Sequence, residues 1–212
     1  MIVTFEHETH TYKIGGAEAP SVTTILRETG AADVRFAPKA AMHRGSVVHE
    51  MVYLYESGLS LEGKIEDKYL GYSVAYQNFK IATGFISTNT EQILSHVNSS
   101  RKYCGTTDLI GLIDGRPVII DIKTGGYASW HGLQLAAYKM ADSLVLTDGS
   151  TISARTAIPY NTEPKNLYLK PDGSFTLLSG AKLGDRLVPY TDSAWDNAWK
   201  LQLKFYYSDR GK

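Results

Sequence analysis

The stretch Val118-Ile119-Ile120-Asp121-Ile122-Lys123 constrains the fold more than any other part of the chain. Three consecutive β-branched residues predict a strand buried on both faces, which places it inside a sheet with layers above and below. Asp121 and Lys123 are two apart, so they project from the same face of that strand. Isoleucines flank Asp121. A carboxylate and an ammonium at the end of an apolar strand are costly to desolvate unless paired or metal-bound. The preceding segment, Tyr103 to Ile113, reads as a second strand, and Asp114-Gly115 is a tight-turn signal. A hairpin through that turn can bring Asp108 alongside Asp121. Two close carboxylates repel, and a hard divalent cation removes the penalty. A lysine beside them can hold or polarise a water. This is the pattern of metal-dependent phosphodiester hydrolysis.

The flanking sequence supplies the layers. Val3 to Ile14 alternates and ends at Gly15-Gly16, a hairpin-like start. Ser21 is placed to cap a short helix from Val22. Pro38 to Gly58 and Asp67 to Thr83 carry helical spacing, the first containing His49 and Glu50. Thr90 to Val97 alternates as a strand, and Pro117 to Thr124 is the strand described above. Trp130 to Leu146 reads as a helix, Thr151 to Ile158 as a fourth core strand, and Thr191 to Tyr207 as an aromatic-rich closing helix. Between them, Pro171-Asp172-Gly173 separates two short strands. Helices, three strands, a helix and a strand predict an α/β core with one mixed sheet.

The length of 212 residues suits one domain. The single cysteine, Cys104, excludes a disulfide framework, an all-cysteine zinc site and an iron–sulfur cluster within the chain. It reads as a small buried hydrophobe. Lys plus Arg and Asp plus Glu both number 22, and this zero balance argues against binding nucleic acid by bulk charge, though not against a local basic groove. No run is apolar for long enough to cross a membrane, and the start, with Glu6 and Glu8, lacks the apolar core of a signal peptide.

Five elements in order resemble the PD-(D/E)XK nuclease superfamily, in its RecB-like exonuclease branch. They are Pro20-Ser21-Val22-Thr23, His49 within Arg44-Gly45-Ser46-Val47-Val48-His49-Glu50, Asp108, Asp121-Ile122-Lys123, and Gln134-Leu135-Ala136-Ala137-Tyr138. The first resembles an element of phage members and of mitochondrial genome-maintenance exonucleases. The resemblance implies a restriction-endonuclease-like α/β core, with a central mixed sheet flanked by helices. It implies one domain over 1–212: a hairpin and helices (1–85), the catalytic core (86–160), and closing strands and helix (161–212). Asp108 and Asp121 would ligate Mg²⁺ or Mn²⁺, with the Ile122 carbonyl as a third ligand and His49 as a further one. Glu91, opening the first core strand, would stand near the metal. Lys123 would orient the attacking water. Gln134 and Tyr138 share a helix face and would contact the phosphate backbone or fix Lys123.

The implied activity is a divalent-metal-dependent DNA exonuclease acting on ends or single strands in phage or bacterial recombination, replication or repair. Its setting would be the cytoplasm of a bacterium or phage-infected host, with a single-strand-annealing or replication protein as a candidate partner. A structure-specific endonuclease and a catalytically silent DNA-binding adaptor are the rival readings. Some relatives carry four cysteines that hold an iron–sulfur cluster, and this chain cannot. No G-x-x-x-x-G-K-[ST] loop marks a helicase. Ser21, Thr23, Arg27 and Arg44 are expected to contact DNA together with Gln134 and Tyr138. Arg35, Lys39, Lys102 and Lys139 would add to a basic wall, and Trp130 could stack on unpaired bases. His7, His10, His43, His96 and His131 show no metal-ligand spacing and receive no role.

Overall fold

The computed structural model describes residues 1–32, 38–97 and 100–209. β1 (Val3–Glu6) and β2 (Thr11–Ile14) form the expected hairpin, and β3 (Ala17–Ala19) extends it into a small antiparallel sheet. α1 (Val22–Glu28) starts at Ser21, whose Oγ accepts the Thr24 N–H at 2.9 Å. α2 (Lys39–Glu56) and α3 (Leu70–Thr83) follow, and Gly84 closes α3 in the left-handed conformation at φ 61°.

The central sheet is mixed and has seven strands. These are β4 (Ile86–His96), β5 (Tyr103–Ile113), β6 (Arg116–Lys123), β7 (Ser143–Val145), β8 (Thr151–Ser153), β9 (Glu163–Leu169) and β10 (Phe175–Leu178). Their spatial order is β10-β9-β6-β5-β4-β7-β8. Every pair is antiparallel except β6–β9. β6 is therefore interior, and Val118, Ile119 and Ile120 are fully buried, as its apolar run predicts. Val118, Ile120 and Ile122 pack with Val48, Met51 and Val52 of α2 and Tyr76 and Phe79 of α3. Ile119 faces the opposite layer, made of α1, α4 (Trp130–Met140) and α5 (Ser193–Asp209). A further hairpin, β11 (Gly180–Leu183) with β12 (Arg186–Pro189), lies outside the main sheet.

Two glycines allow α4 to sit close to its neighbours. A Cβ on Gly105 of β5 would stand 2.7 Å from the Tyr138 ring, and one on Gly132 would stand 2.5 Å from the Trp195 indole.

Several boundaries differ from expectation. The first core strand begins at Ile86, so Glu91 lies mid-strand. The expected helix from Trp130 to Leu146 stops at Met140. There the chain turns into the sheet: the Asp142 N–H donates to the Ser95 carbonyl, the Asp142 carboxylate accepts the Val97 N–H, and Ser143 and Leu144 pair with β4. The expected strand from Thr151 to Ile158 ends at Ser153. A short 3₁₀ turn over Ala154–Thr156 instead brings the Arg155 guanidinium onto the carbonyls of Lys139 and Ala141, satisfying the exposed end of α4. Among the described residues, no helix is long and apolar enough to cross a membrane.

Candidate metal centre

The site forms where β5 and β6 part. Their ladder runs from Ile113↔Arg116 to Leu109↔Ile120. One residue further, the Asp108 carboxylate replaces the backbone partner: its Oδ2 accepts the Ile122 N–H at 2.5 Å. On its other side β6 continues to pair with β9, through Asp121↔Asn166 and Lys123↔Tyr168. The split leaves Asp108 and Asp121 at one level, only 7% and 1% exposed. β4 brings Glu91 to the same level, between the pairs Thr90↔Leu109 and Gln92↔Thr107. Glu91 has φ 46°, an uncommon backbone conformation for a residue other than glycine.

α2 supplies His49. Its Nδ1 lies 3.2 Å from Asp108 Oδ1 and its Nε2 3.2 Å from the Ile122 carbonyl oxygen. Both neighbours are acceptors, so the imidazolium, with two N–H donors, satisfies both at once. Burial alone would lower the His49 pKa, but the Asp108 charge and hydrogen bond outweigh it and push it up to about 9. The reciprocal effect holds Asp108 down: burial raises its pKa, and His49 and Lys123 more than offset this. Asp121 goes the other way. Burial and the charge of Asp108 raise it to about 6, although Lys123 opposes them. Glu91 is raised as well, by desolvation and then by Asp108, though much of the residue still faces solvent, which weakens the effect.

Lys123, with 14% of its side chain exposed, is held from three sides. Its Nζ contacts Asp121 Oδ2, donates to Gln134 Oε1 at 2.9 Å, and stands 5.2 Å from the centre of the Trp130 ring. Gln134 Nε2 in turn donates to the Tyr138 hydroxyl at 2.8 Å. Gln134 and Tyr138 are both buried, and their hydrogen bonds run to Lys123 and to each other.

His49, Glu91 and Asp108 can place one ligand atom each within 4.8 Å of one another. An imidazole and two carboxylates form a donor set that suits Mn²⁺ and, with less preference for nitrogen, Mg²⁺. Asp121 stands outside this triad with its carboxylate on Lys123, and the Ile122 carbonyl faces His49.

Arg44 lines a cavity of about 320 Å³ beside Lys123, Gly125, Gly126 and Trp130. Ser21 and Arg27 line a separate polar cleft of about 540 Å³, and Thr23 is exposed on α1. Lys139 turns away to Asp196 at 3.5 Å. Arg35 lies outside the described residues.

One site residue escaped sequence reasoning. His131 lines the same cavity as Lys123, and its Nδ1 lies 2.7 Å from the Tyr168 hydroxyl. Burial, then the Lys123 charge, lowers its pKa to about 3, so it is neutral. The available signal was spacing: 131, 134 and 138 share one helix face.

No protein-family model and no curated protein matches the chain. Among solved structures it is similar to one titled "Crystal structure of SSO0001", at 14% identity and a TM-score of 0.32, over 87% of this chain and 83% of that one.

Proposed function

We propose that the protein is a divalent-metal-dependent DNA nuclease of the RecB-like PD-(D/E)XK type, acting as an exonuclease. One observation carries the reading: the cluster of His49, Glu91, Asp108, Asp121 and Lys123 gathered where two core strands separate. His49, Glu91 and Asp108 would hold Mg²⁺ or Mn²⁺. Once bound, such an ion supplies Lewis acidity at a phosphate oxygen and acidifies water.

The protein's own residues do the rest. Lys123 is a fixed cation, aimed by Gln134 and Asp121, that orients the attacking water and offsets charge on the scissile phosphate. Asp121, with its raised pKa, is the proton acceptor for that water. Gln134 and Tyr138 act as positioning residues for Lys123. Water attacks phosphorus and the 3′ oxygen leaves, giving a 5′-phosphate and a 3′-hydroxyl. Phage or bacterial recombination, replication or repair is the setting we propose.

Digestion of end-labelled single- and double-stranded DNA with Mg²⁺ or Mn²⁺ tests this, because it reads activity, polarity and end requirement together. Wild-type protein should degrade DNA only with metal, and Asp121→Ala should be inactive yet folded. Metal-dependent cleavage by purified Asp121→Ala would overturn the assignment.

A further inference from the structure

A second cleft, of about 770 Å³, borders the metal-ligand cluster. His49 lines both this cleft and the Arg44–Lys123 cavity, and Glu91 lines the second. The two differ in chemistry. The smaller cavity carries Arg44 and Lys123, whereas among the described residues no Lys or Arg lines the larger one. Among the described residues, its charged side chains other than histidine are Glu50 and Glu91. Acidic walls repel a phosphate backbone. The larger cleft offers rings instead: Phe5, His7 and His10 from the first hairpin, and Tyr53 of α2.

The ring wall is built in advance. Phe5 is flanked edge-on by His7 at 4.7 Å and His10 at 5.0 Å, and it leans on Tyr12 at 4.6 Å. The Tyr12 hydroxyl is hydrogen-bonded to Thr106 Oγ1 at 2.8 Å, which ties the hairpin to β5 two residues before Asp108. Val3 N–H donates to the Gly149 carbonyl and anchors its other strand. His10 takes φ 52°, a strained turn conformation that keeps its ring beside Phe5. Tyr53 is 43% exposed.

We infer that this cleft is a stacking platform for unpaired nucleobases, so that the substrate is single-stranded DNA. Its bases lie between the Phe5–His7–His10 wall and Tyr53, while its phosphates run past His49 toward Lys123 and Arg44. Rings without cations accept any base face and exclude the backbone, and a paired duplex keeps its base faces buried. The inference deepens the nuclease reading and rests on it for the position of the scissile phosphate.

The test uses a short single-stranded oligonucleotide carrying 2-aminopurine, whose fluorescence falls on stacking, titrated in Ca²⁺. Hydrolysis of bis(p-nitrophenyl) phosphate in Mn²⁺ reports the metal centre separately, because that compound carries no base. Wild-type protein should quench the probe. Tyr53→Ala and His7→Ala should each weaken single-strand binding about 5- to 100-fold and reduce quenching. Duplex binding and bis(p-nitrophenyl) phosphate hydrolysis should stay within about twofold of wild type, the difference expected for a surface substitution away from such contacts. Phe5→Leu, which keeps apolar contact with Tyr12, should fall between them. Unchanged quenching in both alanine variants, or equal losses on duplex and single strand, would overturn the platform while leaving the nuclease reading intact. A wild-type protein that quenches through Tyr53 but hydrolyses neither substrate would sink the nuclease reading and retain the platform.

Discussion

Metal binding at this site should release a proton from His49, and its affinity should climb with pH. Without metal, the imidazolium sits between Asp108 and the Ile122 carbonyl. A pair of charges 3.2 Å apart attracts with about 5 kcal/mol at an effective dielectric constant near 20. Burial takes part of that back. The remaining rise, from 6.5 to about 9, corresponds to about 3.4 kcal/mol. The His49 side chain is 32% exposed, so solvent screening trims this energy. A metal ion needs the neutral ring. The sign follows: below the His49 pKa the proton competes, so affinity is weakest at low pH and rises until the ring is neutral in the free protein. Between pH 7 and 9 the gain should be up to about 50-fold for a ring that titrates at about 9, with close to one proton released per ion near pH 7.

Calorimetric titration with Mn²⁺ in two buffers of different ionisation enthalpy counts that proton directly. His49→Gln should bind metal more weakly, release no such proton and show a flatter pH profile. Affinity independent of pH in wild-type protein, or release unchanged in His49→Gln, would refute the assignment of His49 as a ligand. Proton NMR of the metal-free protein checks the premise independently. A His49 titration near 6.5 would mean that the Asp108 pair does not hold the charge, whatever the metal does.

Three further outcomes follow from the geometry. Lys123→Ala should lower kcat about 100- to 1,000-fold while leaving Mn²⁺ affinity within a few-fold, measured by steady-state kinetics beside calorimetry; equal losses in both would mean that Lys123 supports folding of the site instead. Gln134→Leu removes the acceptor for Lys123 and the donor to Tyr138, so kcat should fall about 5- to 100-fold with KM nearly unchanged, and Gln134→Glu should recover part of it. His131 has a pKa of about 3 when folded against 6.5 when unfolded, so the unfolded chain binds the extra proton and stability falls as pH drops below 6.5. Between pH 7 and 4.5 wild-type protein should therefore lose about 2–3 kcal/mol more than His131→Phe in urea unfolding, and parallel curves would rule this out.

The interior strand was readable because burial on both faces leaves its mark on composition: Val118-Ile119-Ile120 is apolar and β-branched without alternation, and all three residues are buried. Asp108 was readable by counting back through the Asp114-Gly115 turn, and the register places it opposite Asp121 as that count requires. The end of α4 was not readable. Its apolar stripe runs into Ser143-Leu144-Val145 without a break in composition, and the chain leaves the helix because Asp142 and Ser143 find partners on β4, a contact distant in sequence. Glu91 was misplaced within its strand for a similar reason. The register slip between Ser87 and Asn89 depends on how two strands fit together, and alternation in one of them does not record it. His131 was missed because a lone histidine on a helix looks the same whether it meets solvent or Tyr168.

The charge count at the site explains how a chain of zero net charge can fold around three carboxylates. Glu91, Asp108 and Asp121 are balanced in the metal-free protein by His49 and Lys123, leaving at most a single negative charge. Such a cluster needs no ion to stay folded, unlike sites whose ligands only repel one another. Binding a divalent ion then displaces the His49 proton, so the site gains one positive charge, not two. Electrostatic help for an approaching phosphate is correspondingly modest, and the remainder has to come from Arg44 and Lys123 and from ring contacts. On this reasoning DNA affinity should rise with metal by a small factor and fall with salt on a shallow slope, because few phosphates meet cations. A steep slope, reporting six or more phosphate contacts in a salt titration of DNA binding, would mean that a basic surface outside these two cavities carries the substrate.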